Sequence, residues 1–492
     1  MIFINLDRKS KISLFKQIFF HLKDLIEREV LQPGYRMPST RLLAEKLCVS
    51  RSTVVEAYEE LWAFGYLDSR PGSYSIIRKR KNIASQEQKS GKGYISWENV
   101  SSPQAKKIYE TYQNIWSYSK KKGKNDLIKM SGLSLDLRLF PSHEFRKCMN
   151  TVFFENMSDI YNYSAPQGYK PFREFLAKRL QIHGISVSPG EILITNGSQN
   201  SIELILKLLT VPGSKIVVED PTYFLIHPLL KFYNVDIIGS SMKDDGVNLD
   251  QLQHILKMHN PSFLYTIPNF HNPTGITTNQ MHREKLLSIC EKYKLPIVED
   301  AFEEEMKYFG KVPLPIKSMD KGQIVIYLGS FSKVLFPGIR IGWIAAEKEC
   351  VRRLVSIKNF SDITSNLPVQ AALSEFCHRG YYDLHIKRIH RIYRKRMQVA
   401  LKSLKRYLCF EKVSWIEPTG GFLIWIKMKD TGKNDGELNR IFLENGVRVS
   451  PGEHFFTNKN SNHYIRLSIS TLEEEEIKEG IKRIGNALSF IY

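Results

Sequence analysis

Residues 324–345 read IVIYLGSFSKVLFPGIRIGWIA, and the fold of most of the chain is decided there. Ile324–Leu328 is a β-branched run of strand length that stops at Gly329-Ser330-Phe331-Ser332-Lys333. Pro337-Gly338 marks a turn, and a second strand-like run, Ile339–Ala345, follows with Arg340 near its start. Lys333 therefore stands at a strand end, beside the hydroxyls of Ser330 and Ser332 and a short way before a guanidinium. That grouping fits a reactive amine close to a phosphate. A single lysine in such a place is ordinarily a surface residue, so the weight lies on its companions.

Outward from this stretch the chain alternates short β-branched runs with helical segments: Ile192–Thr195, Ile216–Val218, Phe263–Ile267 and Ile297–Val298. Alternation of this kind argues for an α/β domain with a largely parallel sheet, whose ligands bind beyond the carboxyl ends of the strands. Polar motifs stand at those ends. Ile192–Thr195 runs into Asn196-Gly197-Ser198-Gln199 and a helix, an anion site in outline. Ile297–Val298 runs into Glu299-Asp300, and residues 267–275, IPNFHNPTG, form a polar turn after another strand. Near the end of the chain Tyr464–Ser468 places Arg466 in a strand. Singly, Asp300 reads as a helix cap, Asn272 as a turn residue and Arg466 as an ion-pair partner. Together, amine, carboxylate, asparagine, anion cradle and distant arginine fit pyridoxal 5'-phosphate chemistry. The lysine condenses with the aldehyde, the carboxylate keeps the pyridine nitrogen protonated, and an arginine fork holds an amino-acid carboxylate.

The first eighty residues follow a different pattern. Leu14, Ile18, Leu22 and Leu25 recur at helical spacing between Ile12 and Leu31, and Pro33-Gly34 ends that helix. Ser39 is placed to cap a short helix with Leu42, Leu43 and Leu47 inward; Cys48-Val49-Ser50 is a three-residue turn. Ser50 caps a second helix, Arg51 to Phe64, with Val54, Tyr58 and Leu61 on its core face and Gly65 as its stop. Pro71-Gly72 then turns between Tyr66-Leu67 and Tyr74–Ile77, a short hairpin or wing. Two short helices on a three-residue turn, followed by a wing, have helix-turn-helix spacing, and the second helix opens with the phosphate-binding types Arg51-Ser52-Thr53.

Composition agrees with both readings. The 492 residues are 42 % apolar and 25 % charged, ordinary globular values that exclude a mostly disordered, collagenous or fibrous chain. No run approaches the roughly 18 apolar residues of a spanning helix, and charge interrupts MIFINLDRKSK where a signal peptide needs its apolar stretch. Six scattered cysteines without a C-x-x-C pair read as thiols of a reducing cytosol, with no metal framework, so a cytoplasmic protein without membrane contact is expected. Of the net charge of +20, +5 falls in residues 1–80 and +6 in 81–125, a basic bias toward a polyanionic partner. The expected organisation is a DNA-binding domain over 1–78, a basic linker over 79–125, and the large α/β domain over 126–492.

The motifs P-S-x-R, V-S-R-x-T-V, A-Y-x-x-L and G-Y-L, present from Pro38 to Leu67, resemble the winged-helix domain of GntR-type bacterial regulators. That resemblance implies that Arg41, Arg51, Ser52, Thr53 and the wing-tip Gly72 lie against DNA. The N-P-T-G, S-F-S-K…P-G-x-R and R-L-S motifs resemble fold-type I aminotransferases, whose large domain is accompanied by a smaller α+β C-terminal subdomain. By that resemblance Lys333 is the Schiff-base lysine, Asp300 pairs the pyridine nitrogen and Asn272 meets the phenolic oxygen. Ser198, Gln199, Ser330 and Arg340 hold the phosphate, and Tyr223 stacks on the ring. Tyr163 reaches the neighbouring subunit's phosphate, and Arg466 binds the substrate or effector carboxylate. The two halves in one chain resemble the MocR/GabR group of transcription regulators. This implies a head-to-tail homodimer that binds operator DNA and uses pyridoxal phosphate to sense an amino-acid-like effector or the vitamer itself. The competing expectation is a pyridoxal-phosphate-dependent aminotransferase with an accessory DNA-binding domain.

One position departs from the aminotransferase pattern. Phe302 stands where a tyrosine is common, and its missing hydroxyl removes a donor to the phenolic oxygen beside Asn272. The Schiff base is then expected to stay protonated to higher pH, and turnover to be impaired.

Overall fold

The computed structural model describes residues 4–69, 74–79, 95–120, 126–155, 160–310, 313–458 and 463–492. The chain forms two compact units, Met1–Val100 and Ser101–Tyr492.

In the first unit α1 (Leu14–Glu27) buries Ile18, Phe19 and Leu22 along one stripe. The short helix α2 (Thr40–Leu47) starts where Ser39 Oγ accepts the Leu42 N–H at 3.2 Å, and it ends on Cys48 at φ +50°. Ser50 Oγ accepts the Thr53 N–H at 3.2 Å and opens α3 (Arg51–Ala63), which buries Val54, Ala57, Tyr58 and Leu61. Each cap supplies an acceptor to a backbone N–H that the helix leaves unpaired. The Tyr58 hydroxyl donates to the Pro38 carbonyl at 3.0 Å and ties the start of α2 to α3. After Gly65 (φ +71°), β1 (Leu67–Ser69) pairs antiparallel with β2 (Ser75–Ile77). Leu42, expected inward, is 45 % exposed, because the stripe of this two-turn helix runs through Leu43, Ala44 and Leu47, and Leu42 falls beside it. Gly72 lies outside the described residues.

The second unit begins with the helix Pro103–Lys120, inside the stretch expected as linker, and this helix runs beside the helix Ile226–Phe232. The strand β3 (Ile128–Lys129) follows, and then an eight-stranded sheet. Its members are β4 (Ile192–Thr195), β5 (Lys215–Asp220), β6 (Asp236–Lys243), β7 (Gly246–Val247), β8 (Leu264–Thr266), β9 (Ile297–Asp300), β10 (Val325–Ser330) and β11 (Gly342–Ala345), in the order β4-β11-β10-β9-β8-β5-β6-β7. The sheet is mixed: β11 is antiparallel to β10 and β4, β7 is antiparallel to β6, and the others share one direction.

Successive residues of the central strands enter different cores. Val218, Tyr265, Val298 and Ile326 pack with the helices Ser198–Leu209 and Lys348–Asp362; Val217, Leu264, Ile297 and Val325 pack with Leu249–Met258 and Gln280–Tyr293. Helices on both faces explain why these strands are apolar throughout. A smaller antiparallel sheet follows: β12 (Val413–Trp415), β13 (Leu423–Met428), β15 (Ser450–Pro451) and β16 (Tyr464–Ser468), in the order β12-β13-β16-β15, while β14 (Val447–Arg448) pairs with β3. The long helices Tyr381–Tyr407 and Glu474–Ile491 pack together beside it. Among the described residues, no helix is long and apolar enough to cross a membrane.

Candidate functional site

The carboxyl ends of β4, β8, β9 and β10 open into a cavity of about 490 Å3, closed from the other side by residues of β15 and β16. Lys333, Asp300, Asn272, Ser198, Ser330, Tyr223 and Arg466 all line it. These seven expected site residues come from six different segments, which the crossovers of the sheet bring together.

Asp300 ends β9 and is buried. Its Oδ2 accepts the Tyr265 hydroxyl at 2.7 Å, while Oδ1 makes no hydrogen bond of ordinary geometry among the described residues. Burial raises its pKa to about 6, against the pull of Tyr265 and the Phe302 N–H. A fully buried carboxylate with a spare oxygen calls for a cationic N–H partner. Lys333 follows β10, and its Nζ donates to the Leu133 carbonyl. Burial lowers its pKa; Glu303 opposes that shift, and Arg466 and Arg340 reinforce it.

Arg466 projects from β16, and its Nη1 donates to Asn272 Oδ1 at 2.9 Å. Its Nη2 donates to the Ser131 carbonyl at 2.9 Å and to Ser450 Oγ at 3.2 Å. Nε has no partner among the described residues, and the guanidinium carbon lies 4.8 Å from the Phe455 ring centroid. Burial pulls its pKa down to about 10, so the cation persists at neutral pH with no bonded carboxylate among the described residues. The Asn272 loop is fixed from behind. His271 Nε2 lies 3.1 Å from Glu219 Oε2, and the buried Arg283 donates to Asn269 Oδ1 at 2.7 Å.

Ser198 opens the helix Ser198–Leu209, reached through Gly197 at φ +96°. A Cβ on Gly197 would lie 2.9 Å from Arg340 Nη2, so only glycine lets the guanidinium lie against this turn. Arg340, at φ +49°, donates from Nη2 to the Asn196 carbonyl at 2.6 Å. Helix N–H groups, Ser198, Ser330 and Arg340 together suit a dianion such as a phosphate. Gln199 and Arg340 are not among the lining residues, and Arg340 is exposed. Gln199 donates to the Leu225 carbonyl at 3.3 Å and accepts the Tyr223 hydroxyl at 3.5 Å. Tyr163 is 79 % exposed and is not among the lining residues. Phe302 lines the cavity as the sequence reading placed it, and residues absent from the expected set also line it: Leu133, Ser332, Ser450 and Phe455. Ser332 lies within the lysine motif, and its N–H donates to Ser330 Oγ at 3.2 Å. Leu133 and Ser450 belong to segments with no motif of their own, so only the fold reveals them.

In the first unit Arg51 and Ser52 are exposed in the first turn of α3, and Arg41 is exposed in the first turn of α2. Thr53 is half-buried, its Oγ1 2.7 Å from Ser50 Oγ.

Residues 14–75 match the family described as bacterial regulatory proteins, gntR family, and residues 133–484 match aminotransferase class I and II. The HTH-type transcriptional regulator YdfD of Bacillus subtilis, itself uncharacterized, is 30 % identical, with 97 % of each chain covered. A probable rhizopine catabolism regulatory protein of Rhizobium meliloti, MocR, is 24 % identical, with 98 % of this chain and 95 % of that protein covered. Among solved structures, LysN, an α-aminoadipate aminotransferase of Thermus thermophilus complexed with N-(5'-phosphopyridoxyl)-L-leucine, superposes with a TM-score of 0.74 at 30 % identity. The match covers 81 % of this chain and 99 % of LysN.

Proposed function

The chain belongs to the MocR-type transcriptional regulators, in which a GntR DNA-binding domain precedes an aminotransferase class I and II domain, and we propose that it senses an amino compound through pyridoxal phosphate held by Lys333. The observation that carries this reading is the convergence of Lys333, the spare Asp300 oxygen and the buried Arg466 on one cavity. When bound, pyridoxal phosphate supplies an aldehyde that condenses with amines and a ring that accepts electrons.

In this reading each side chain has a separate task. Lys333 Nζ provides the amine, and Asp300 Oδ1 takes the ring nitrogen's proton as a hydrogen bond. Asn272 keeps its amide Nδ2 for the phenolic oxygen, since Oδ1 is already engaged by Arg466. Ser198, Ser330 and Arg340 hold the phosphate, with Gln199 behind them, and Tyr223 covers the ring. Arg466 offers Nε to an effector carboxylate, which selects amino acids and similar anions over plain amines.

The proposed output is DNA affinity. Arg41, Arg51, Ser52 and Thr53 meet the operator, with Gly72 at the wing. A homodimer, with Tyr163 reaching its partner's phosphate, binds two half-sites in the cytoplasm. For an effector to act, it must prefer one arrangement of the dimer over another. The alternative, an aminotransferase with an accessory DNA-binding domain, is favoured by the complete set of cofactor residues; Phe302 in place of tyrosine counts against turnover. Borohydride reduction of the cofactor-treated protein, followed by peptide mapping, tests the cofactor assignment. The expected adduct is on Lys333, and an unmodified Lys333 would leave a DNA-binding protein with an unrelated ligand.

A further inference from the structure

The helix Lys348–Asp362 ends in a strained turn. Ile363 stands at φ +58° and ψ −69°, and the Thr364 N–H donates back to the Asp362 carbonyl at 2.6 Å. This is a γ-turn with positive φ, a conformation that a β-branched residue adopts only at a cost in strain. Ile363 is 56 % exposed, so packing of its own side chain does not hold it there. The residue before it does have firm partners, and they lie on two sides of its carboxylate.

One partner is Lys358, a helical turn back. Lys358 is fully buried, and its Nζ lies 3.4 Å from Asp362 Oδ1. Burial lowers the Lys358 pKa, and Asp362 opposes that shift. The other partner is Asn196, the residue between β4 and Gly197, whose Nδ2 donates to Asp362 Oδ2 at 2.8 Å. The backbone of Asn196 is engaged twice more. Its N–H donates to Asn200 Oδ1 at 3.0 Å, and its carbonyl accepts Arg340 Nη2 at 2.6 Å. A continuous chain of contacts therefore runs from Lys358 through Asp362 and Asn196 to the guanidinium beside the anion cradle. β11 presses on the same turn: a Cβ on Gly342 would lie 3.0 Å from the Gly197 Cα. The packing of this helix on Ser198–Leu209 does not depend on Asp362, because Lys207 Nζ also joins the two helices by donating to Ser361 Oγ at 3.2 Å.

We propose that Asp362 is a positioning residue: through Asn196 it presets the Arg340 guanidinium for a phosphate, and so makes the site select a phosphorylated cofactor over its dephosphorylated form. The proposal rests on the reading that the cofactor phosphate sits at Ser198, Ser330 and Arg340. A guanidinium already held by a carbonyl loses less freedom when the anion arrives. Lys358 balances the charge of Asp362, so the carboxylate serves as a hydrogen-bond acceptor without adding net negative charge near an anion site.

The test compares pyridoxal phosphate with pyridoxal, which keeps the aldehyde and the ring but lacks the phosphate. Dissociation constants for both are read from the cofactor absorbance of the full-length protein, for wild type, Asp362→Ala, Asp362→Asn and Arg340→Ala. Asp362→Ala is expected to weaken pyridoxal phosphate about five- to tenfold, the worth of one lost hydrogen bond, and to leave pyridoxal unchanged. Asp362→Asn keeps an acceptor for Asn196 Nδ2 and is expected to restore most of the preference. In an Arg340→Ala background, Asp362→Ala should add nothing further. An unchanged preference in Asp362→Ala, equal losses for the two aldehydes, or losses that add to those of Arg340→Ala would each overturn the proposal. If Asp362→Ala does not fold because Lys358 loses its counter-charge, Asn196→Ala decides, since it cuts the chain and leaves the ion pair in place. The same loss of preference there supports the proposal, and an unchanged preference overturns it. If wild type forms no Schiff base, the cofactor reading fails and inorganic phosphate becomes the probe, titrated by calorimetry. Wild type should then bind it about five- to tenfold more tightly than Asn196→Ala, and equal affinities or no binding would overturn the proposal.

Discussion

Arg466 offsets its burial with three hydrogen bonds, and its Nε has no partner among the described residues. A charge-assisted hydrogen bond to an anion is worth about 1.5–3 kcal/mol. Arg466→Ala should therefore weaken binding of a carboxylate-bearing amine by about ten- to a hundredfold, with cofactor loading retained; titration of the cofactor spectrum with such amines reads both. Phe302 supports a second prediction at this scale. Phe302→Tyr adds a hydroxyl beside Asn272, and the pH midpoint of the cofactor absorbance should fall. An unchanged midpoint would mean that residue 302 does not reach the phenolic oxygen.

At the scale of elements, the caps and turns matter most. Ser50 holds the start of α3 through the Thr53 N–H, and Ser50→Ala should cost about 1 kcal/mol, read as a lower urea midpoint of the first unit. Such elements were legible in the sequence because their causes are local: a serine before an amphipathic run, a glycine after it. The core faces of α1 and α3 and six of the eight strands of the large sheet follow from residue spacing in the same way, whereas β6 and β7 were not read from it. Three features were not legible, each for a tertiary reason. Leu42 is apolar and at helical spacing, yet the packing of α2 on α3 selects Leu43 and Ala44. The run from Ile339 starts its strand only at Gly342, because Arg340 takes a left-handed conformation to reach Asn196 across the Gly197 turn. Leu133 and Ser450 enter the cavity because the small subdomain closes over the sheet, an approach that no local motif encodes. By contrast, Lys333, Asp300, Asn272 and Arg466 were legible because their chemistry is rare as an ordered set.

For the whole molecule, the buried carboxylates set a pH dependence. Burial raises Asp300 to about 6, Glu299 to about 7 and Glu303 to about 8, from ordinary values near 4. Between those ordinary values and the raised ones the folded apoprotein binds more protons than the unfolded chain, so stability falls as pH rises from about 4 to 8. Glu305 works the other way. Its pKa falls to about 2, helped by His183 and Arg179 against burial, and its contribution is lost as pH falls from about 4.5 toward 2. The thermal midpoint of the apoprotein's large unit should therefore be highest near pH 4.5 and lower at pH 8.5. A midpoint that rises with pH would contradict this assignment. The net charge of +20, dense in the first 125 residues, also predicts operator binding that weakens steeply with salt.

The central claim is that chemistry at Lys333 changes DNA affinity, and fluorescence anisotropy on an operator selected from random duplexes tests it directly. Affinity would be measured with pyridoxal phosphate present, across a panel of carboxylate-bearing amines, for wild type and Lys333→Ala. The account predicts that at least one amine shifts the wild-type dissociation constant about tenfold, a coupling of about 1.4 kcal/mol, and that Lys333→Ala binds the same operator without responding. An identical response in the two proteins, or none in wild type alongside steady turnover of the amine, would contradict it.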